Sequence, residues 1–232
     1  MLPFPSAMLQ SSRAITDAFT VLLIGADGVD GATTFVDESP SAHTITAVGN
    51  AQIDTAQKKF GTGSLLLDGT GDGLSLPLST TLEIRSGPFT IEFWARFALS
   101  QSSVAVMGHY HSGTSGIGWA ISFSSGRFRF RGAQNLNIYD TDALFSPTVG
   151  QWHHFAVDRN AADLLRIYVD GVVLASSTVS ATFNPPVNGL KIGYYDSTGL
   201  PYFNGNMDEI RISKGIARYN GAFTPPAAPF PR

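Results

Sequence analysis

Apolar and polar side chains alternate with a period of two through most of this chain. In FTIEFWARF, residues 89–97, Phe89, Ile91, Phe93, Ala95 and Phe97 fall on one side. Thr90, Glu92, Trp94 and Arg96 fall on the other. Successive side chains of a strand point to opposite faces, so this spacing predicts a strand with one face in a core and one in water. RFRFR, 127–131, repeats it, with Phe128 and Phe130 inward and Arg127, Arg129 and Arg131 outward. LLRIYVDGVVLAS, 164–176, reads as a hairpin, because Asp170-Gly171 supplies the two positive-φ positions of a type I′ turn. QWHHFAVDR (151–159) and LKIGYY (190–195) add strands, and SLLLDG (64–69) is the short apolar run expected of a strand between layers. A helical period is sustained nowhere; residues 15–20 and 54–59 suffice for single helical turns at most.

Short β-rich runs separated by Gly, Asn, Asp, Ser and Pro clusters predict an all-β, antiparallel two-sheet sandwich in one domain, residues 19–221. Residues 1–18 read as an N-terminal arm and 222–232 as an extended C-terminal tail. Four of the last eight residues are proline, which cannot donate to a sheet. In NMDEIRIS, 206–213, Asp208, Ile210 and Ile212 alternate, which sets a carboxylate at the head of the apolar side of a strand. A buried carboxylate must be paired, so a bound cation or a hydrogen-bonded hinge is expected there.

Composition narrows the functions. Only 14% of residues are charged, against about 25% in ordinary soluble domains, so Ser, Thr, Asn, Gln and Gly cover the surface. That suits glycan contact or packing into an assembly. The net charge is −3, which leaves no basic field for nucleic acid. Cysteine is absent, which excludes disulfides, thiol catalysis and thiolate metal sites. FTVLLIGA, 19–26, is far short of the roughly 20 residues of a spanning helix, so no membrane insertion is expected. The N-terminus lacks a basic region followed by an apolar core, so it does not read as a secretory signal.

No G-x-S-x-G elbow, P-loop or H-E-x-x-H occurs. Glu38, Glu83, Glu92 and Glu209 are the only glutamates, and no two share a strand, so the chain does not read as an enzyme. His109 and His111 alternate, but a third ligand at metal spacing is missing. His153 and His154 point to opposite faces. Trp119 alternates with Ile121 and Phe123, which places it in the core. Glu92, Trp94 and Arg96, with Arg127, Arg129 and Arg131, form a candidate binding surface if their strands share a sheet. An aromatic ring stacks on a pyranose, and a guanidinium grips an anion with two parallel hydrogen bonds, so the expected ligand is an acidic glycan. The other reading of the arginines is a solvated strand face or a subunit contact. Tyr194, Tyr195 and Tyr202 flank a loop that borders a binding rim.

KFGTGSLLLDGTGDGLSLP (59–77), FTIEFWARF, GQWHHFAVDR, LRIYVDGVVLAS and NMDEIRISKGIARYNGAFTPP (206–226) occur in this order. Together they resemble the laminin-G-like, concanavalin A-like jelly-roll family. The resemblance implies the sandwich fold. It also implies a structural Ca2+ held by Asp208 and by the Gly-rich turn carrying Asp27 and Asp30; their other reading is as ordinary turn and amide-capping residues. Retaining glycosidases share the fold but carry two glutamates flanking an aspartate on one strand, a pattern missing here. The SKGIARYNGAFTPP continuation is similar to variants found in bacteriophage structural proteins. It implies a virion protein of tail, fibre or capsid decoration, made in the host cytoplasm. Its partners would be other virion proteins met through the terminal arms, further copies of itself, and host surface glycans. The alternative is a secreted or cell-surface, extracellular lectin or adhesion module, and a glycoside hydrolase comes third.

Overall fold

A computed structural model describes residues 17–109, 118–195 and 199–232. The alternating segments become fifteen strands among the described residues. They are β1 (Thr20–Ile24), β2 (Thr46–Val48), β3 (Gln52–Asp54), β4 (Ser64–Asp68), β5 (Gly73–Ser75), β6 (Phe89–Phe97), β7 (Val104–Gly108) and β8 (Trp119–Ser124). Then come β9 (Arg127–Gln134), β10 (Asn137–Leu144), β11 (Trp152–Arg159), β12 (Leu164–Val169), β13 (Val172–Thr178), β14 (Lys191–Ile192) and β15 (Asn204–Lys214). The only helix among these residues is a 3-10 turn at Thr80–Leu82, not at either place the sequence allowed one. None is long and apolar enough to cross a membrane.

The strands form two antiparallel sheets. One is ordered β13-β12-β11-β6-β15-β4-β3, with β1 also on β15; the other is β10-β9-β8-β7-β14-β5-β2. Phe89, Ile91, Phe93, Ala95 and Phe97 of β6 enter the core between them, as the alternation predicts. Trp119, Ile121 and Phe123 of β8 and Phe128 and Phe130 of β9 meet them from the second sheet. Phe97, Phe123, Phe128 and Phe155 pack edge-on or tilted, with centroids 5.0–6.2 Å apart, which suits their ring quadrupoles. Asp170 and Gly171 hold φ of 49° and 79°, the turn read from the sequence.

β15 departs from simple alternation. Its first residues, Asn204–Met207, pair with β4, and Ile210–Ser213 pair with β1. A bulge interrupts its ladder with β6 between Asp208 and Arg211, and Glu209 takes a φ of 50°. The extra residue reverses the parity of the strand. Met207, Ile210 and Ile212 enter the core, so Asp208 does not share the isoleucine face as expected.

The C-terminal segment is extended and forms no strand, but it lies across the outer face of the eight-stranded sheet. Phe223 stacks on Tyr219 with centroids 3.5 Å apart and donates its N–H to Gly171 at 2.9 Å. Phe230 is 5% exposed, under the Arg211 guanidinium at 3.6 Å. This segment acts as a strap over its own sheet.

Candidate functional site

The strap decides which surface is free. Thr90, Glu92 and Trp94 alternate outward on β6 but are buried. Above them sit Tyr219, Phe223, Lys59 and Phe60. Glu92 accepts two hydrogen bonds from Arg211, at 2.9 and 2.7 Å, and one from the Tyr219 hydroxyl at 2.5 Å. His154 Nε2 lies 3.3 Å from the same carboxylate. Burial works against its ionisation, but His154, Arg211 and Tyr219 outweigh that and hold its pKa below the ordinary value. The Trp94 ring lies 3.8 Å below the Lys59 ammonium. Arg96 donates to the Gly150 carbonyl. The expectation of a wet face at Glu92, Trp94 and Arg96 is therefore corrected: the first two are sealed by residues distant in sequence. β6 and β9 also belong to different sheets, so this trio never joins Arg127, Arg129 and Arg131.

The acids expected to share a cation are engaged separately. Asp208 accepts the Lys59 and Phe60 amides at 2.8 and 3.0 Å and the Glu209 amide at 2.8 Å. Burial nevertheless pushes its pKa up to about 7. Asp27 accepts the amide and hydroxyl of Thr62, and Asp30 those of Thr55. The cation closest to Asp27 is Arg232, 3.7 Å away, which also bonds Glu38 at 2.7 Å and Glu209. Among the described residues no group of three or more acids or histidines converges as a metal site. The donor set of Asp27, Asp30 and Asp208 thus does not fit a calcium ion, whose six to eight oxygens must point at one centre. His109 accepts no role there either: burial lowers its pKa to about 4, and Nδ1 faces the Asn188 carbonyl at 3.1 Å. His111 lies outside the described residues. His153 bonds Asp170 at 2.7 Å, a contact that steadies the hairpin turn.

The other outer face carries a groove over β8 and β9. Cross-strand register aligns Ser122 with Arg129 and Ala120 with Arg131, and then Arg129 with Asp142 and Arg131 with Asp140. Ala120, Ser122, Ser124, Arg129, Arg131, Tyr195 and Leu200 enclose a groove of about 190 Å³. Small side chains on β8 leave the floor low. The arginines of β9 line one side, and Tyr195 and Leu200 line the other. Arg131 grips Asp140 through two bonds of 2.7 Å. Asp142 is shared by Arg127 and by Arg129, whose Nε donates at 3.1 Å. Burial opposes ionisation of Asp142, but the two guanidiniums outweigh it and lower its pKa. The sequence places the arginines outward correctly. It also spells their partners, Asp140 and Asp142, in the alternating D-T-D of NIYDTDAL, a signal the sequence reading passed over.

The family profile for Laminin_G_3, the concanavalin A-like lectin/glucanases superfamily, matches residues 68–218, well over half the chain. No curated protein matched the sequence. Among solved structures, the binding domain of Paraclostridial Mosquitocidal Protein 1 is similar, with TM-score 0.62 and 14% identity over 88% of this chain and 49% of that one. The binding domain of Botulinum Neurotoxin DC in complex with SialylT gives 0.60 and 16%, over 86% of this chain and 48% of that one. This chain thus spans about half the length of the toxin domains it matches. Domain 4 of AbnA, a GH43 extracellular arabinanase from Geobacillus stearothermophilus, in complex with arabinotriose, gives 0.58 and 21%, over 82% of this chain and 88% of that one. At these identities the structures establish the shared fold. With two antiparallel sheets, the matched profile and the common architecture in view, the chain belongs to the concanavalin A-like lectin/glucanases superfamily, in its laminin-G-like branch.

Proposed function

We propose that this chain is a non-catalytic recognition module that binds glycan in the groove above β8 and β9. The carrying observation is the contrast between the two outer faces. One is roofed by the strap, with Glu92 wholly enclosed, and the other holds an open groove lined by hydroxyls, guanidiniums and Tyr195. A glycosidase needs one carboxyl kept protonated near a second carboxylate at the substrate. Asp140 and Asp142 alternate on β10, but each is bound to arginine, and Arg127 and Arg129 hold the Asp142 pKa down. Structural relatives in complex with SialylT and with arabinotriose support the glycan reading.

The module is carried on a phage particle, in a tail, fibre or capsid decoration. This narrower reading rests on the similarity of the SKGIARYNGAFTPP segment to bacteriophage structural proteins and on the low charge. Density for the sandwich in purified particles is the expected finding; export of the chain without particles would instead favour an extracellular lectin.

Ser124→Trp tests the site. The indole fills the groove from its half-buried floor and should abolish binding on a glycan array while leaving the melting midpoint within a few degrees. A variant that folds and still binds the same glycans would refute the assignment of the groove. Release of reducing ends from those glycans by the parent chain would refute the non-catalytic reading.

A further inference from the structure

The arginine–aspartate ladder of β9 and β10 beside the groove is unequal: among the described residues three guanidiniums face two carboxylates. Arg131 holds Asp140 through both of its oxygens. Asp142 divides its two oxygens between Arg127 and Arg129. The uncompensated charge of the ladder therefore belongs to the Arg127–Arg129 pair, and of these two only Arg129 lines the groove.

Arg129 bonds β10 through Nε alone. Among the described residues its nearest other acid, Asp140, is 3.9 Å away, and its two terminal nitrogens form no hydrogen bond. These nitrogens carry four N–H groups in the plane of the guanidinium, spaced for the two oxygens of one oxyanion. Directly across the ladder stands Ser122, with Ser124 two residues on, so hydroxyl donors flank the same spot. No carboxylate occurs among the described residues that line the groove. The side chain is only 20% exposed, which weakens competition from water for whatever it binds. Asp142 also fixes the guanidinium in place, so little rotamer freedom is lost when a ligand arrives.

We propose that the groove selects glycans bearing an anionic substituent, a carboxylate or a sulfate, and that Arg129 is the residue that receives it. This deepens the glycan reading above and rests on it. A neutral sugar meets the same hydroxyls but gains nothing from the surplus charge. A single charge-assisted contact of this kind changes affinity by about tenfold or more.

The test uses the full chain in calorimetric titrations with three probes: an oligogalacturonide, the same oligomer fully methyl-esterified, and a sulfated oligosaccharide of similar length. Expected is about tenfold tighter binding of the acid, or of the sulfate, than of the ester. Whichever anionic arm is preferred names the substituent. Arg129→Gln should erase that preference, and far-ultraviolet circular dichroism and a melting midpoint that match the parent's certify its fold. Arg96→Gln, on the opposite sheet, should leave all three affinities unchanged. Equal binding of acid, sulfate and ester, or a preference that survives in R129Q, overturns the role of Arg129 while the glycan reading stands. If no probe binds and a glycan array is also blank, the glycan reading falls and takes this inference with it.

Discussion

Asp208 shows how far a single residue can be read. Its need for partners was legible, because a carboxylate among isoleucines has to be satisfied. Its direction was not, because the bulge at Glu209 depends on β15 changing partner from β4 to β1, a long-range fact. In the folded chain its pKa is raised to about 7 from the ordinary value of 3.8, burial outweighing the Phe60 and Lys59 amides. A folded value above the unfolded one means that the stability it gives is complete below about pH 4 and is lost as pH rises through 7. Asp158, raised to about 6 by burial, acts in the same direction. Asp208→Asn removes this dependence, though its amide fits the Lys59 and Phe60 N–H groups less well and lowers stability throughout. The gap between parent and variant should therefore narrow by roughly 2 kcal/mol between pH 5 and pH 8, read from urea unfolding at each pH. A constant gap would show that Asp208 titrates normally.

Elements were legible where alternation was unbroken, as in β6, β9 and the β12–β13 hairpin. The burial of β6 on both faces was not, since its second cover comes from a proline-rich segment more than 120 residues away. The strap and the hairpin are coupled at Gly171, which holds a φ of 79°, with the Phe223 carbonyl 1.8 Å from where a Cβ would stand. Alanine there meets both a strained backbone and an immovable neighbour. Gly171→Ala should lift the strap at its Phe223 end without unfolding the sheets. Thermolysin would then cut near Phe223 at least several-fold faster than in the parent, while far-ultraviolet circular dichroism stays the same. Unchanged cleavage would mean that Phe230 and Arg232 alone hold the segment.

At the scale of the whole molecule, the two-sheet sandwich followed from strand periodicity and from motif order, and the structure agrees. Which strands share a sheet did not follow, because periodicity assigns faces and says nothing of neighbours. That is why Glu92, Trp94 and Arg96 were grouped with arginines that lie on the opposite sheet. The acid turns are held by amides, hydroxyls and Arg232, so the melting midpoint should be the same in chelator and in millimolar calcium. A rise of several degrees with calcium would restore the expected cation at Asp27, Asp30 and Asp208.

The unequal treatment of the two outer faces gives the sandwich a front and a back. On the proposed reading a glycan enters from the β8–β9 side, so a tether that points that side outward presents its groove like a dish to incoming chains. One attached through β10 would turn the dish to the wall.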